Sequence, residues 1–351
     1  MAPRPRVLAV GVNAPDPAAV AEAARVLRAG GLVALPTETV YGLAANALDP
    51  AAVARIYAAK GRPAFNPLIA HVPDAAAARE LVAVWPPAAE RLAAAHWPGP
   101  LTLVLPKRPG VIPDAVTAGL PAVAVRVPAH PVALAVLGAA GVPLAAPSAN
   151  RYTELSPTRA EHVVRGLGDR VDLVLDGGPS GVGIESTVVD LTAGDGVPRV
   201  LRPGTLSADA LADALGAPVR GPDAPGGAAP AVSPTAPRLG PGMVDRHYAP
   251  RATLWAFDAG DAPAVAARLA SERAARPGLR TGALLLAPWH APEPPDTVVA
   301  MPDDPAGYAA RLYDALHALD AAGCDVVLVE RPPAGPAWVG VRDRLARAAH
   351  P

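Results

Sequence analysis

The chain has 351 residues and a mass of 35.4 kDa, enough for about two domains that each bury a core. Its 31 lysines and arginines nearly balance 32 aspartates and glutamates, which argues against a nucleic-acid coat protein or a polybasic membrane-binding protein. The single cysteine, Cys324, excludes an intramolecular disulfide framework and a cysteine-based zinc cluster. No apolar segment follows the charged start of the chain, so we expect a cytoplasmic enzyme without a secretory signal.

Up to residue 216, short apolar runs that predict strands alternate with segments that predict helices. The predicted strands are 32–35, 68–72, 102–105, 123–127, 144–146, 171–175, 187–191 and 200–201. The predicted helices are 18–29, 51–59, 75–84, 88–95, 131–140 and 159–167. Asp49 and Pro50 provide a cap and a first-turn proline for the second helix. This alternation predicts an α/β (α+β) domain over residues 13–216, with a twisted mixed sheet and flanking helices.

The longest uncharged stretch, residues 127–150, is long enough to raise the question of a membrane span. Four prolines and two glycines interrupt it. The sequence therefore predicts a strand end, a short helix and a buried strand there, and no membrane interaction.

A linker and a second domain follow. Between residues 221 and 243, 11 of 23 residues are glycine or proline, which predicts an extended linker that we assign to residues 217–250. Beyond it, strands are predicted at 252–257, 282–286, 298–301 and 326–329, and helices at 263–275, 308–322 and 341–349. This pattern predicts a smaller, Rossmann-like α/β domain over residues 251–351.

Two cations lie at the end of the second predicted helix. Only Lys60 and Lys107 are lysines in a chain that otherwise uses arginine, and Lys60 is two residues from Arg62. Two converging cations beside backbone N–H groups suit a polyphosphate. The same residues, with Gly61 between them, also suit a helix C-cap, so spacing alone leaves both interpretations open.

Other polar groups follow predicted strands. Ser148 and Asn150 lie where a strand's carboxyl end could present them to a ligand, although both are also common turn residues. Residues 36–42 place two hydroxyls, a carboxylate and a phenol after another strand. Arg126 lies inside an apolar strand, where its charge needs an anionic ligand or a partner such as Glu185.

Familiar nucleotide and metal motifs are missing from the sequence. There is no P-loop, and the glycine-rich segment 177–183 lacks the dinucleotide spacing, so it is better interpreted as a turn. The eight histidines form no His-x-x-x-His pair, and a structural metal site is not expected.

Seven segments in a fixed order are far more specific than any one of them. They are 33–43 (VALPTETVYGL), 60–63 (KGRP), 66–69 (NPLI), 97–102 (WPGPLT), 147–150 (PSAN), 186–190 (STVVD) and 202–204 (RPG). Over residues from about 16 to 204 the chain resembles the YrdC-like family, the threonylcarbamoyl-AMP synthases. Segments 240–243 (GPGM) and 247–250 (HYAP) resemble the long, two-domain form of that family.

The resemblance implies a reaction. L-threonine, bicarbonate and ATP would give threonylcarbamoyl-adenylate and pyrophosphate, with Mg²⁺ assisting through the ATP phosphates. A separate transferase complex would then move the threonylcarbamoyl group to tRNA, so direct tRNA binding by this chain would be weak at most.

The resemblance also implies roles for individual residues. The catalytic pair would be Lys60 and Arg62. The ATP-binding residues would be Lys60, Arg62, Ser148 and Asn150, with Ser156, Arg202 and Tyr248 also on the nucleotide side. The threonine-binding residues would be Thr37, His71, Arg126 and Ser186, with Arg126 facing the carboxylate. Tyr248 would close the pocket as part of a linker that acts as a lid.

The chain departs from the family pattern at two places. Phe65 stands where an acidic residue is common, and Val244-Asp245 replaces an expected basic-aromatic pair.

Three other functions are less consistent with the sequence. A hydrogenase-maturation enzyme would need zinc and acylphosphatase modules for which the chain has neither cysteines nor room. An RNA-binding role lacks a basic aromatic platform. A bare ATPase would differ in needing neither threonine nor bicarbonate.

Overall fold

The computed structural model describes residues 5–222, 239 and 247–350. These residues form two compact units, one containing the described residues up to 152 and from 156 to 239, the other containing 153–155 and 247–350. Most of the predicted linker, including segment 240–243 and Val244-Asp245, lies outside the described residues. The domain limits at residues 216 and 250 therefore stay a prediction.

The first unit is built on a mixed ten-stranded sheet of order β1-β8-β2-β3-β7-β4-β6-β5-β9-β10. Its strands are β1 (Arg6–Ala9), β2 (Val33–Leu35), β3 (Gly42–Asn46), β4 (Ile69–His71), β5 (Leu101–Pro106), β6 (Ala122–Arg126), β7 (Leu144–Ala145), β8 (Leu173–Asp176), β9 (Thr187–Asp190) and β10 (Arg199–Arg202). The sheet contains both parallel and antiparallel pairs: β4 pairs with β6 in parallel, whereas β6 pairs with β5 antiparallel. The mixed sheet expected from the sequence is confirmed.

Helices pack on both faces of this sheet. They are α1 (Pro17–Arg28), α2 (Pro50–Lys60), α3 (Ala75–Leu81), α4 (Pro87–His96), α5 (Asp114–Thr117), α6 (Pro131–Ala140), α7 (Ala160–Leu167) and α8 (Ala208–Leu215). The predicted cap of α2 is present, because the Asp49 side chain accepts a hydrogen bond from the Ala51 N–H at 2.9 Å. Gly61 ends the helix in the left-handed conformation, with φ of 63°.

The two faces of the sheet are covered differently. Helices α2, α3, α4, α5, α7 and α8 contribute apolar side chains to one large core on the first face. On the second face, α1 and α6 cover the half of the sheet that contains β8, β2, β3 and β7. The other half of the second face carries a small apolar group from strands alone, with Leu239 packed against it: Ile69, Val104, Ala122, Ala124, Val188 and Leu201. We call this half the site face.

The second unit has a four-stranded parallel sheet of order β11-β14-β12-β13. Its elements are β11 (Thr253–Phe257), α9 (Ala262–Ala275), β12 (Thr281–Leu285), β13 (Thr297–Ala300), α10 (Pro305–Ala321), β14 (Val326–Glu330) and α11 (Val339–Ala348). The core includes Phe257, Leu269 and Leu328. This confirms the smaller α/β domain expected from the sequence.

Residues 127–150 begin directly after β6, which ends at Arg126, and contain the predicted helix and buried strand as α6 and β7. Across the described ranges, no helix is both long and apolar enough to cross a membrane.

Four elements of the first unit were missed by the sequence analysis: β1, β3, α5 and α8. Strand β3 has the sequence GLAAN, whose alanines have low strand propensity. It forms because it pairs with β2 on one side and β7 on the other. Strand β2 is close in sequence, but β7 is distant, so tertiary context decides this strand.

Candidate functional site

Side-chain alternation along the strands brings the candidate threonine-binding residues to the site face. His71 is two residues after Ile69 in β4, and Arg126 is two residues after Ala124 in β6, so each shares a face with the small apolar group. His71 and Arg126 are also directly paired across β4 and β6. The two residues are therefore neighbours on the site face.

The charge of Arg126 is balanced by Glu38. Arg126 Nη2 donates to Glu38 Oε1 at 2.6 Å, and Arg126 Nε donates to the Gly99 carbonyl at 3.2 Å. Both side chains are largely buried, with 5% and 14% of their surfaces exposed. The suggestion that Glu185 pairs with Arg126 is wrong, because Glu38 from the loop after β2 reaches the guanidinium. The signal was present in the sequence, since Glu38 is adjacent to Thr37 in the same motif.

Thr37 holds the loop that carries Glu38. Its hydroxyl donates to the Val40 carbonyl at 2.6 Å and accepts from the Val40 N–H at 3.2 Å. The Thr39 hydroxyl lies 2.8 Å from the Thr37 hydroxyl oxygen. In this state Thr37 therefore stabilises the loop, as short hydroxyl side chains do in turns.

The glycine-rich segment 177–183 is a loop, as the sequence indicated, and it packs on the Glu38 loop. Tyr41 donates from its hydroxyl to the Gly178 carbonyl at 2.6 Å, and the Val182 N–H donates to the Glu38 carbonyl at 2.6 Å. A Cβ on Gly177 would lie 2.8 Å from Pro36 Cγ, so the close approach requires glycine. The segment thus supports the loop that faces Arg126.

Lys60 joins the end of α2 to the turn at residues 148–150. Its buried ammonium donates to the Ser148 carbonyl at 2.5 Å and to the Asn150 carbonyl at 2.6 Å. The helix end itself is formed by Gly61 in the left-handed conformation. Lys60 is therefore turned toward the polar turn, and it does more than cap the helix.

Arg62 lies on the other side of Gly61 and binds a different segment. Its Nη2 donates to Asn66 Oδ1 at 2.6 Å and to the Pro67 carbonyl at 2.9 Å. The guanidinium carbon lies 5.8 Å from the centre of the Tyr152 ring, which follows Asn150 along the chain. The structure thus brings segments 60–62, 66–67 and 148–152 together.

A third polar group lies at β9. The Ser186 hydroxyl is 2.8 Å from the Thr102 hydroxyl, and Arg202 Nη2 donates to Ser186 Oγ at 3.1 Å and to its carbonyl at 2.9 Å. Ser156 donates from Oγ to Glu185 Oε1 at 2.5 Å, so the Glu185 carboxylate is bound to Ser156. Thr102 lies within segment 97–102, but its sequence context predicts no role for it.

His71 is held neutral by its surroundings. Burial, and then the nearby positive charge of Arg126, lower its pKa from 6.5 to about 3. Its Nδ1 lies 3.3 Å from the Ile69 carbonyl. A neutral imidazole beside Arg126 can exchange hydrogen bonds with a ligand while adding no charge.

Tyr248 belongs to the second unit. Its buried ring lies 5.0 Å from the guanidinium carbon of Arg344 and 6.0 Å from the Tyr313 ring, and its φ is 60°. The adjacent His247 ring is 4.0 Å away. Its role in closing a pocket stays a prediction.

The described parts of the chain contain no group of three or more His, Cys, Asp or Glu side chains arranged to hold a metal ion. Lys60 and Arg62 place two positive charges near the turn at residues 148–150, and their contacts include carbonyl and amide oxygens. Two cations in one region suit an anionic ligand.

Family models cover almost the whole chain. Residues 25–204 match the Sua5/YciO/YrdC family, described as telomere recombination, and residues 207–350 match the C-terminal domain of threonylcarbamoyl-AMP synthase. The threonylcarbamoyl-AMP synthase of Bacillus subtilis (strain 168) is 39% identical over 333 residues, covering 94% of this chain and 92% of the relative. That of Pyrococcus abyssi is 40% identical over 329 residues and covers 93% of each chain.

Solved structures agree with these relatives. Pyrococcus abyssi Sua5 complexed with L-threonine superposes with a TM-score of 0.86 at 38% identity, covering 98% of this chain and 97% of that chain. A double variant of the same protein, with an adjacent histidine and tyrosine changed to alanine, has a TM-score of 0.88 at 37% identity, covering 98% and 96%. The chain belongs to the Sua5/YciO/YrdC family in its two-domain form, and its activity is that of a threonylcarbamoyl-AMP synthase.

Proposed function

We propose that L-threonine binds beside Arg126 on the site face and that the ATP phosphates bind beside Lys60 and Arg62. One continuous set of contacts supports this proposal. Lys60 binds the turn at 148–150, and the Ala149 N–H within that turn donates to the Tyr41 carbonyl at 2.8 Å. Tyr41 ends the loop that carries Glu38 to Arg126. The two cationic regions are thereby linked through one loop.

On the nucleotide side, Lys60 and Arg62 supply the positive charge. Lys60 Nζ and Arg62 Nη2 are both hydrogen-bond donors, and each donates to backbone or amide oxygens. Phosphate oxygens accept hydrogen bonds from such cationic donors, so a triphosphate would bind to both. Ser148 and Asn150 flank the Lys60 contact and would add polar groups, and Ser156 and Arg202 would act further along the nucleotide.

On the threonine side, Arg126 would bind the carboxylate. Ser186, which lies at 2.8 Å from Thr102, and the neutral His71 would supply polar groups without further charge. Thr37 would act mainly by holding its loop, given its hydrogen bonds to Val40.

The reaction needs no covalent enzyme intermediate. The threonine amine captures CO₂ derived from bicarbonate as a carbamate, and a carbamate oxygen attacks the α-phosphorus of ATP with release of pyrophosphate. The protein's contribution is then to position the two substrates and neutralise the charge that develops on the phosphates. Mg²⁺ would enter bound to the nucleotide phosphates.

The linker would act as a lid that keeps water from the labile mixed anhydride. Leu239, a residue of the predicted linker, packs against the apolar group on the site face, which supports a role for this residue at that face. The chain's sole His-Tyr pair is His247-Tyr248, and adjacent His and Tyr residues were changed together in the solved Pyrococcus abyssi variant. The product would pass in the cytoplasm to a separate transferase complex acting on tRNA.

The proposal is tested by measuring pyrophosphate release from ATP with threonine and bicarbonate omitted in turn. Release that requires both substrates is the expected result. Release that is indifferent to threonine would instead identify a bare ATPase and contradict the proposed threonine site.

A further inference from the structure

Glu38 has one carboxylate oxygen that the fold does not use. Its Oε1 accepts the hydrogen bond from Arg126, while Oε2 is buried and has no hydrogen-bond partner among the described residues. A buried polar atom without a partner is costly, and few occur in folded proteins. A ligand that supplies a donor would remove this cost.

Arg126 offers a matching unused group. Its Nη2 is bound to Glu38 and its Nε to the Gly99 carbonyl, and in the described ranges no partner is seen for Nη1. A guanidinium and a carboxylate thus lie side by side, and each has hydrogen-bonding capacity remaining. An α-amino acid carries the complementary pair, a carboxylate and an ammonium on the same carbon.

We propose that Glu38 Oε2 accepts a hydrogen bond from the ammonium group of L-threonine while Arg126 binds its carboxylate. This inference rests on the threonine site proposed above. The Arg126–Glu38 pair has no net charge, and His71 adds none because its pKa is lowered to about 3. The pair therefore suits a zwitterion, whereas an unpaired arginine would accept any monocarboxylate. Glu38 thereby selects for an α-amino acid.

The test compares two ligands that differ at the amine. L-threonine and 3-hydroxybutanoate share the carboxylate and the hydroxyl, but the second lacks the amino group. Their dissociation constants are measured by calorimetry on the full chain, with 3-hydroxybutanoate also run as a competitor of threonine. The variants are Glu38→Gln and, as a control, Glu90→Gln, which removes an exposed carboxylate paired with Arg79.

The wild-type protein is expected to bind threonine at least tenfold more tightly than 3-hydroxybutanoate. In Glu38→Gln the amide can still accept from Arg126, but it lacks the charge that holds the ammonium. We therefore expect threonine binding to weaken at least tenfold and 3-hydroxybutanoate binding to stay unchanged. Glu90→Gln should match the wild type with both ligands.

Three outcomes would overturn the inference. Unchanged threonine binding in Glu38→Gln would exclude the contact, and equal weakening of both ligands would show that Glu38 acts only by holding Arg126. Equal wild-type affinity for the two ligands would refute it even if Glu38→Gln fails to fold. A wild-type protein that binds neither ligand would instead refute the proposed threonine site as a whole.

Discussion

Replacing Lys60 by methionine would test the phosphate site most directly. Methionine keeps the apolar length of the side chain but removes the ammonium. That ammonium donates to the Ser148 and Asn150 carbonyls at 2.5 and 2.6 Å. The substitution therefore has two separate consequences, one for stability and one for turnover.

For stability, the buried Asn150 carbonyl and the partly buried Ser148 carbonyl lose a charged donor. At about 1 kcal/mol for each, the loss is about 2 kcal/mol. For a unit of this size, such a loss lowers the melting temperature by roughly 4–8 °C. The variant should therefore still be folded at ordinary assay temperatures.

For turnover, the proposed phosphate site would lose one of its two cations. Removing a single such group costs about 10²- to 10³-fold in rate. Pyrophosphate release at saturating threonine and bicarbonate is the assay, with thermal unfolding followed in parallel. A loss of this size in a folded protein is the expected result.

The chain provides a matched control, because its other lysine is Lys107. Lys107 pairs at 2.5 Å with Asp114, whose side chain is 79% exposed. Lys107→Met should keep nearly full turnover. If Lys60→Met also turned over within about threefold of the wild type while folded, the proposed phosphate role of Lys60 would be wrong.

Three further predictions concern the threonine side and the lid. Arg126→Ala should raise the KM for threonine far more than the KM for ATP, because it would remove the proposed partner of the threonine carboxylate. Steady-state kinetics with each substrate varied would show equal effects on the two KM values if Arg126 were only structural. His71 has a native pKa of about 3 against an ordinary 6.5, so the unfolded chain takes up the proton first and stability falls as the pH drops below 6.5. The free energy of unfolding is measured for the wild type and His71→Gln at pH 7 and at pH 5.5. Its decrease between these pH values should be about 1.3 kcal/mol smaller in the variant. An identical decrease in both proteins would contradict a neutral, buried His71. A chain ending after Gly216 should keep the circular dichroism of a folded first domain but lose most synthase turnover, because Tyr248 and the linker are absent; full activity would refute the lid.

The fold class and most elements could be predicted from the sequence, because their causes are local. Apolar runs marked the buried strands, and Asp49, Pro50 and Gly61 marked both ends of α2. The helices of the second unit followed from the same kind of pattern. Strand β3 could not be predicted, because an alanine-rich segment becomes a strand only when β2 and β7 lie on either side of it.

The candidate site divides in the same way. The types of residue were visible in the sequence: Lys60 and Arg62 at a helix end, Arg126 in an apolar strand, and polar turns after other strands. The hydrogen-bonding partners of these residues could not be predicted from the sequence. Glu38 and Arg126 are 88 residues apart, and Lys60 and Ser148 are also 88 apart. A charge in an apolar strand reveals that a partner is needed, since burial without one is costly. Which partner supplies it depends on the order of strands in the sheet, and tertiary structure alone decides that order.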